Sequence, residues 1–127
     1  MQRMWTYFFV AVFGLLGCWA RLAQASLVQA IWGSDFPYAT LSINLMGSFL
    51  MGFLFIETLE RLTLAPALRT GVLTGFIGGY TTFSTFQMEC LLLFEQGEAV
   101  KAFLYQGLSL VLGLGCAFFG AYIARNL

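Results

Sequence analysis

The chain is 127 residues long, 60% hydrophobic and only 9% charged, with a mean hydropathy of +0.84, whereas soluble domains carry roughly 25% charged residues. Six basic and six acidic side chains give a formal net charge of zero, and no basic run could neutralise a series of phosphates, which excludes nucleic acid as a partner. At about 20 apolar residues per crossing, this length accommodates four membrane spans with short connections, so residues 1–127 are read as one membrane domain.

Span one is expected from about Trp5 to Gln24, with Trp5 and Tyr7 where amphipathic rings sit at an interface. A lone Arg3 precedes it, but the apolar run outlasts a signal-peptide core and no small-residue cleavage pattern follows, so it is read as a span. Arg21 is expected in its last turn, where a guanidinium either snorkels to the headgroups or faces a wet vestibule and attracts anions. Ser26 to Pro37 reads as a connection, Pro37 being suited to the first turn of the helix that follows.

Span two is expected from about Tyr38 to Ile56. Thr40, Asn44 and Ser48 recur every four residues and share one helical face, with Gly47 beside them. Small and polar residues are how membrane helices adhere, which is the packing reading of Thr40, Gly47 and Ser48. Asn44 brings two donors and an acceptor into hydrocarbon and needs partners or solvent there, which points to a pore or binding role. Glu57 to Arg69 is the most charged connection and reads as a solvated loop.

Span three, about Gly71 to Phe94, breaks the rules for a span. Gly78 and Gly79 are poor helix formers, and Thr81, Thr82, Ser84 and Thr85 carry hydroxyls into a region where lipid offers no partner. Irregular backbone at membrane depth survives only where protein buries it or a wet cavity meets it. The helix is therefore expected to break near Gly78-Gly79. Beyond the break Phe83, Phe86 and Glu89 follow at intervals of three along one side. A link around Glu95 to Glu98 leads to span four, about Ala99 to Ala124, where Tyr105, Ser109 and Gly113 form a second weakly polar stripe able to face Asn44.

Four spans place Arg3, Arg61, Arg69 and Arg125 on one side against Arg21 and Lys101 on the other, a weak bias that leaves both insertions open. Histidine is absent, no Gly-x-Ser-x-Gly turn surrounds a serine, and Cys18, Cys90 and Cys116 lie far apart in apolar sequence, so catalysis and a cysteine metal site are not expected. What remains is passage of a solute. Without rings of carboxylates or deep lysines, a pore here is lined by neutral donors and aromatic rings. Hydroxyls and amides of Asn44, Thr40 and Ser109 can replace the water of a small hydrated anion, and the electropositive edges of Phe83 and Phe86 can face it. Four helices hardly enclose a pore alone, so an oligomer is expected.

The run Gly75-Phe76-Ile77-Gly78-Gly79-Tyr80-Thr81-Thr82-Phe83-Ser84-Thr85-Phe86, with Glu89 after it, closely resembles the signature of the Fluc (CrcB) family of bacterial fluoride channels. Gly17-Cys18-Trp19-Ala20-Arg21 and Thr40-Leu41-Ser42-Ile43-Asn44 resemble that family's other two motifs, in the expected order. The resemblance implies an all-α protein of four transmembrane helices, forming an antiparallel dual-topology homodimer that exports fluoride passively across the inner membrane. It implies a pore of Asn44, Phe83, Phe86, Thr40, Tyr105 and Ser109, and a vestibule with Arg21 and Glu89. It also implies a structural sodium ion at the dimer interface, held by the main-chain carbonyls of Gly78 and Thr81. Gly113 departs from the pattern, standing where a further hydroxyl of the last helix is expected.

Two other functions compete. A proton-coupled exporter of hydrophobic cations needs a membrane-embedded carboxylate, for which Glu89 is the sole candidate away from the span ends. An assembly subunit would use the glycines and threonines only to pack helices.

Overall fold

The computed structural model describes all 127 residues, Met1–Leu127, and every regular element in it is a helix. Three helices are long and apolar enough to cross a bilayer: α1 (Gln2–Trp32), α2 (Tyr38–Glu60) and α6 (Ala99–Arg125). Between α2 and α6 lie α3 (Pro66–Thr70), a π-helical stretch (Gly71–Ile77), α4 (Gly78–Tyr80), two extended residues, and α5 (Phe83–Glu95).

Helix α1 runs eight residues past the expected end at Gln24, because nothing from Ala25 to Trp32 breaks a helix. At 31 residues and 1.5 Å rise each it is about 46 Å long, well over the roughly 30 Å of bilayer hydrocarbon. It stops at Gly33, whose φ of 76° is the left-handed conformation that glycine adopts freely and whose N–H closes back on the Gln29 carbonyl. The expected connection from Ser26 to Pro37 thus shrinks to residues 33–37.

Helix α2 likewise continues beyond Ile56 to Glu60, absorbing the first turn of the expected loop. Glu57 and Thr58 remain buried there, since Thr58 Oγ1 donates to the Leu54 carbonyl at 2.7 Å and Glu57 pairs with Arg61 at 3.3 Å. Arg69, expected in that loop, lies on α3. Its Nε donates to Thr58 Oγ1 at 2.8 Å, and its guanidinium carbon sits 4.7 Å from the Phe55 ring centroid, tying the start of the third segment to the end of α2.

The break falls three residues beyond Gly78, at Thr81 (φ −78°, ψ 161°) and Thr82 (φ −150°, ψ 120°), whereas Gly78 is helical (φ −62°, ψ −38°). Glycine serves a different purpose here. A Cβ on Gly79 would stand 2.7 Å from the Gly14 carbonyl oxygen, so the pair lets α4 lie directly on α1. Thr82 makes the break stable by capping α5, its Oγ1 accepting from the Thr85 N–H at 3.3 Å.

Two close seams organise the packing. On one, Gly17 of α1 lies against the backbone of Phe76, and a Cβ there would also be 3.0 Å from the Tyr80 nitrogen. On the other, Gly52 of α2 meets the Ala117 backbone, and Gly120 of α6 meets that of Phe49. Lipid supplies no hydrophobic drive between helices, so backbone approach of this kind carries the association. Helix α5 leans on α6 through a small core of Cys90, Leu93, Ala102 and Tyr105. The ends of α4 and α5 thereby face the polar stripe of α2.

Candidate functional site

Asn44 is the residue that meets the break. Its Nδ2 donates to the Thr82 carbonyl at 2.9 Å, and its Oδ1 accepts from the Thr82 N–H at 2.9 Å. A carboxamide offers a donor and an acceptor side by side at any pH, which suits it to both peptide groups of a single residue. Thr82 is extended, so neither of these groups bonds within a helix, and Asn44 supplies both partners.

A second polar cluster holds the other side of the break. Arg21 Nε donates to the Gly79 carbonyl at 3.3 Å, and Nη2 approaches the Cys18 sulfur at 3.8 Å. Arg21 is therefore not in the last turn of α1, being eleven residues before Trp32, and its guanidinium is turned onto the third segment. One turn further, Gln24 accepts from the Tyr80 hydroxyl through Oε1 and donates through Nε2 to Ser42 Oγ at 3.2 Å. Ser42 in turn donates to the Ala39 carbonyl at 2.8 Å. Besides its backbone seat on α1, the end of α4 is thus tied to α1 and α2 by side-chain hydrogen bonds.

Beyond the break the rings follow. The Phe83 and Phe86 centroids are 6.0 Å apart at an interplanar angle of 64°, and Phe86 meets Tyr105 edge to face at 4.8 Å and 88°. Tyr105 is fully buried, and its hydroxyl donates to Glu89 Oε1 at 3.1 Å. Phe83, by contrast, is 71% exposed on the single subunit. Thr40 is buried, and Ser109 Oγ is buried with no partner at all, an orphaned hydroxyl that calls for one. A Cβ on Gly113 would lie 3.8 Å from Ser48 Oγ, so the Tyr105-Ser109-Gly113 stripe faces α2. Asn44, Ser48, Thr81, Thr82 and Phe83 line one open groove beside the break.

Bending the chain at Thr81 also frees carbonyls. Because the Thr82 N–H turns to Asn44, the Gly78 carbonyl accepts no hydrogen bond within the chain, and neither does that of Thr81. Nothing approaches within 4 Å of where a Gly78 Cβ would stand. Unpaired carbonyl oxygens are ligands for hard cations, so the donor chemistry of Gly78 and Thr81 fits sodium.

Among the residues that shape this region, Gln24 and Phe36 have no site role in the sequence analysis, and Thr82 enters it only as one of the hydroxyls that mark the break. Gln24 carried a signal, three residues after Arg21 and so on the same helical face. Thr82 carried one too, as a hydroxyl three residues before Thr85 at a helix start. Phe36, in the α1–α2 loop, carried none.

Three long apolar helices around a broken one, with neutral donors, ring edges and free carbonyls converging on the break, define a multi-pass membrane protein built to handle an ion. The family model described as CrcB-like protein, Camphor Resistance (CrcB), matches residues 8–121, and the chain belongs to the CrcB family. It is 60% identical over 121 residues to a protein of Acidithiobacillus ferrooxidans named fluoride-specific ion channel FluC, covering 95% of this chain and 97% of that one. Relatives of the same name from Methylococcus capsulatus and Geobacter metallireducens are 48% identical over 120 residues and 45% identical over 125. The first match covers 94% of this chain and 53% of the relative; the second covers 98% and 100%.

Proposed function

We propose that this protein is a fluoride-selective channel through which fluoride leaves the bacterial cytoplasm passively across the inner membrane, giving fluoride resistance. The observation that carries the reading is the 60% identity, over nearly the whole of both chains, with a relative named a fluoride-specific ion channel. The geometry around the break supplies the physical account. Fluoride is small and strongly hydrated, so its water must be replaced by donors. The Asn44 amide keeps one N–H beyond the one given to Thr82, the orphaned Ser109 hydroxyl adds another, and the buried Thr40 hydroxyl lies on the same face of α2 as Asn44. Where donors end, the edges of Phe83 and Phe86 carry the positive part of the ring quadrupole. With no full positive charge at the rings, the ion is released as readily as it is taken up.

In this reading the two halves of the third segment form one crossing, giving four in all, and two subunits pack antiparallel with either insertion allowed. The exposed ring of Phe83 and the open groove beside it are then completed by the partner subunit. A sodium ion held by the Gly78 and Thr81 carbonyls of both subunits would neutralise the backbone oxygens freed by the break and join the two chains. Arg21 and Glu89 flank the route as vestibule residues.

The test is ion efflux from liposomes holding the purified protein. Fluoride should leave rapidly without a coupled ion gradient, and chloride far more slowly. Equal rates for the two anions overturn the proposal.

A further inference from the structure

The aromatic contacts that begin at the break do not end with Phe86. Phe83 meets Phe86 at 6.0 Å, Phe86 meets Tyr105 at 4.8 Å, and Tyr105 meets Phe36 at 5.5 Å with an interplanar angle of 67°. All three are edge-to-face pairs, so the four rings form one unbroken line of contacts. Phe36 belongs to the loop of residues 33–37 between α1 and α2, and so lies at the end of the helices rather than within one. It packs on the Tyr105 core from outside.

On its other side Phe36 lines a cavity between that loop and the last turns of α5, shared with Glu89, Gln29, Ser34, Asp35 and Gln96. Glu89 thus stands at a junction: its carboxylate accepts from Tyr105 and also lines the cavity. Amide and hydroxyl donors lie beyond it, together with a second carboxylate.

We infer that the ion route continues from Phe86 past Tyr105 and Phe36 into this cavity, so that Phe36 is a further route-lining ring and the cavity is the route's water-facing mouth. The inference rests on the fluoride-channel reading. An anion leaving Phe86 along this line of contacts next meets the ring of Phe36, which also lines the cavity. It then reaches the donors of Gln29, Ser34 and Gln96, which return its hydration. Asp35 and Glu89 in the same walls keep an anion from settling there, and it passes on to bulk water. A residue that merely packs against Tyr105 needs none of these neighbours.

The experiment places a charge at the mouth. Phe36→Cys protein in liposomes is labelled with an anionic sulfonate thiol reagent or a cationic trimethylammonium one, with labelling confirmed by mass and the unsubstituted chain treated in parallel for Cys18, Cys90 and Cys116. The sulfonate should slow fluoride efflux about fivefold or more, and the trimethylammonium label should leave it within about twofold, because only the sign of the charge differs. Equal effects of the two labels, or none from either, overturn the inference. If Phe36→Cys protein does not conduct before labelling, Gln96→Cys on the exposed rim of the same cavity is read by the same two outcomes. Absence of fluoride efflux from the unsubstituted chain is a different result, since it removes the channel reading itself.

Discussion

Asn44 and Thr82 are joined at both ends of one carboxamide, with Nδ2 donating to the Thr82 carbonyl and Oδ1 accepting from its N–H, each at 2.9 Å. The break in the third segment is therefore held open by a side chain of α2. Without that side chain, two peptide groups at membrane depth lose their partners, each costing about 1–3 kcal/mol. Asn44→Ala should lower the melting temperature in detergent and abolish most fluoride efflux. Asn44→Asp, melted at alkaline pH so that the carboxyl is ionised, is the sharper variant, because it keeps the acceptor and loses the donor. It should remain folded better than Asn44→Ala only if the Thr82 N–H bond is the dominant one, and thermal melts of the two variants compare the bonds directly.

Phe83 and Phe86 differ in what surrounds them, and their substitutions should separate stability from conduction. Phe83 is largely exposed on the subunit, so Phe83→Ile removes little intrachain contact. Phe86→Ile removes the edge-to-face pair with Tyr105, a geometry worth about 0.5–1.5 kcal/mol beyond burial. Both variants should slow fluoride efflux by about tenfold or more if ring edges carry the ion. Only Phe86→Ile should also lower the melting temperature appreciably. Unchanged efflux in both would remove the rings from the route.

The contrast between legible and hidden features is clearest in the third segment. That it breaks was readable from hydroxyls and glycines where lipid offers no partner, because the physical demand is local. Where it breaks was not. Gly78 and Gly79 are weak helix formers, yet Gly79 is held helical by its seat on Gly14, a contact no local propensity contains. The break passes to Thr81 and Thr82, where a cap and the Asn44 carboxamide are available. Arg21 was misplaced for a similar reason, since α1 has no stop signal before Gly33, and a position read as the last turn is eleven residues inside. The helical stripe of Thr40, Asn44 and Ser48 was legible because periodicity alone fixes a shared face. Phe36 was invisible, as loop residues have no periodicity to read.

The glycines of the seams are expected to tolerate no side chain. At Gly17 a Cβ would overlap the Phe76 backbone, and at Gly120 that of Phe49, so neither clash can be relieved by rotating a side chain. Gly17→Ala and Gly120→Ala should each cost about 1–3 kcal/mol, the usual range for overpacking. Thermal melts in detergent, with yield of folded protein as the second readout, check this. Stability equal to the parent protein would show that the seams are looser than these contacts require.

Gly78 provides the opposite expectation within the same motif. Its φ and ψ are helical and nothing lies within 4 Å of a Cβ there, so alanine fits the subunit without strain. If a second subunit and a sodium ion meet the chain at this carbonyl, however, an added methyl crowds them both. Gly78→Ala should therefore leave helix content and subunit folding intact while weakening the dimer, shifting its dissociation by about tenfold or more. Replacing sodium with N-methylglucamine should weaken the parent dimer in the same way, because a large organic cation cannot enter a cage of carbonyl oxygens. Subunit exchange between two differently labelled populations measures both effects. Exchange rates unmoved by the substitution and by sodium removal would place the dimer contact, and the cation, away from the break.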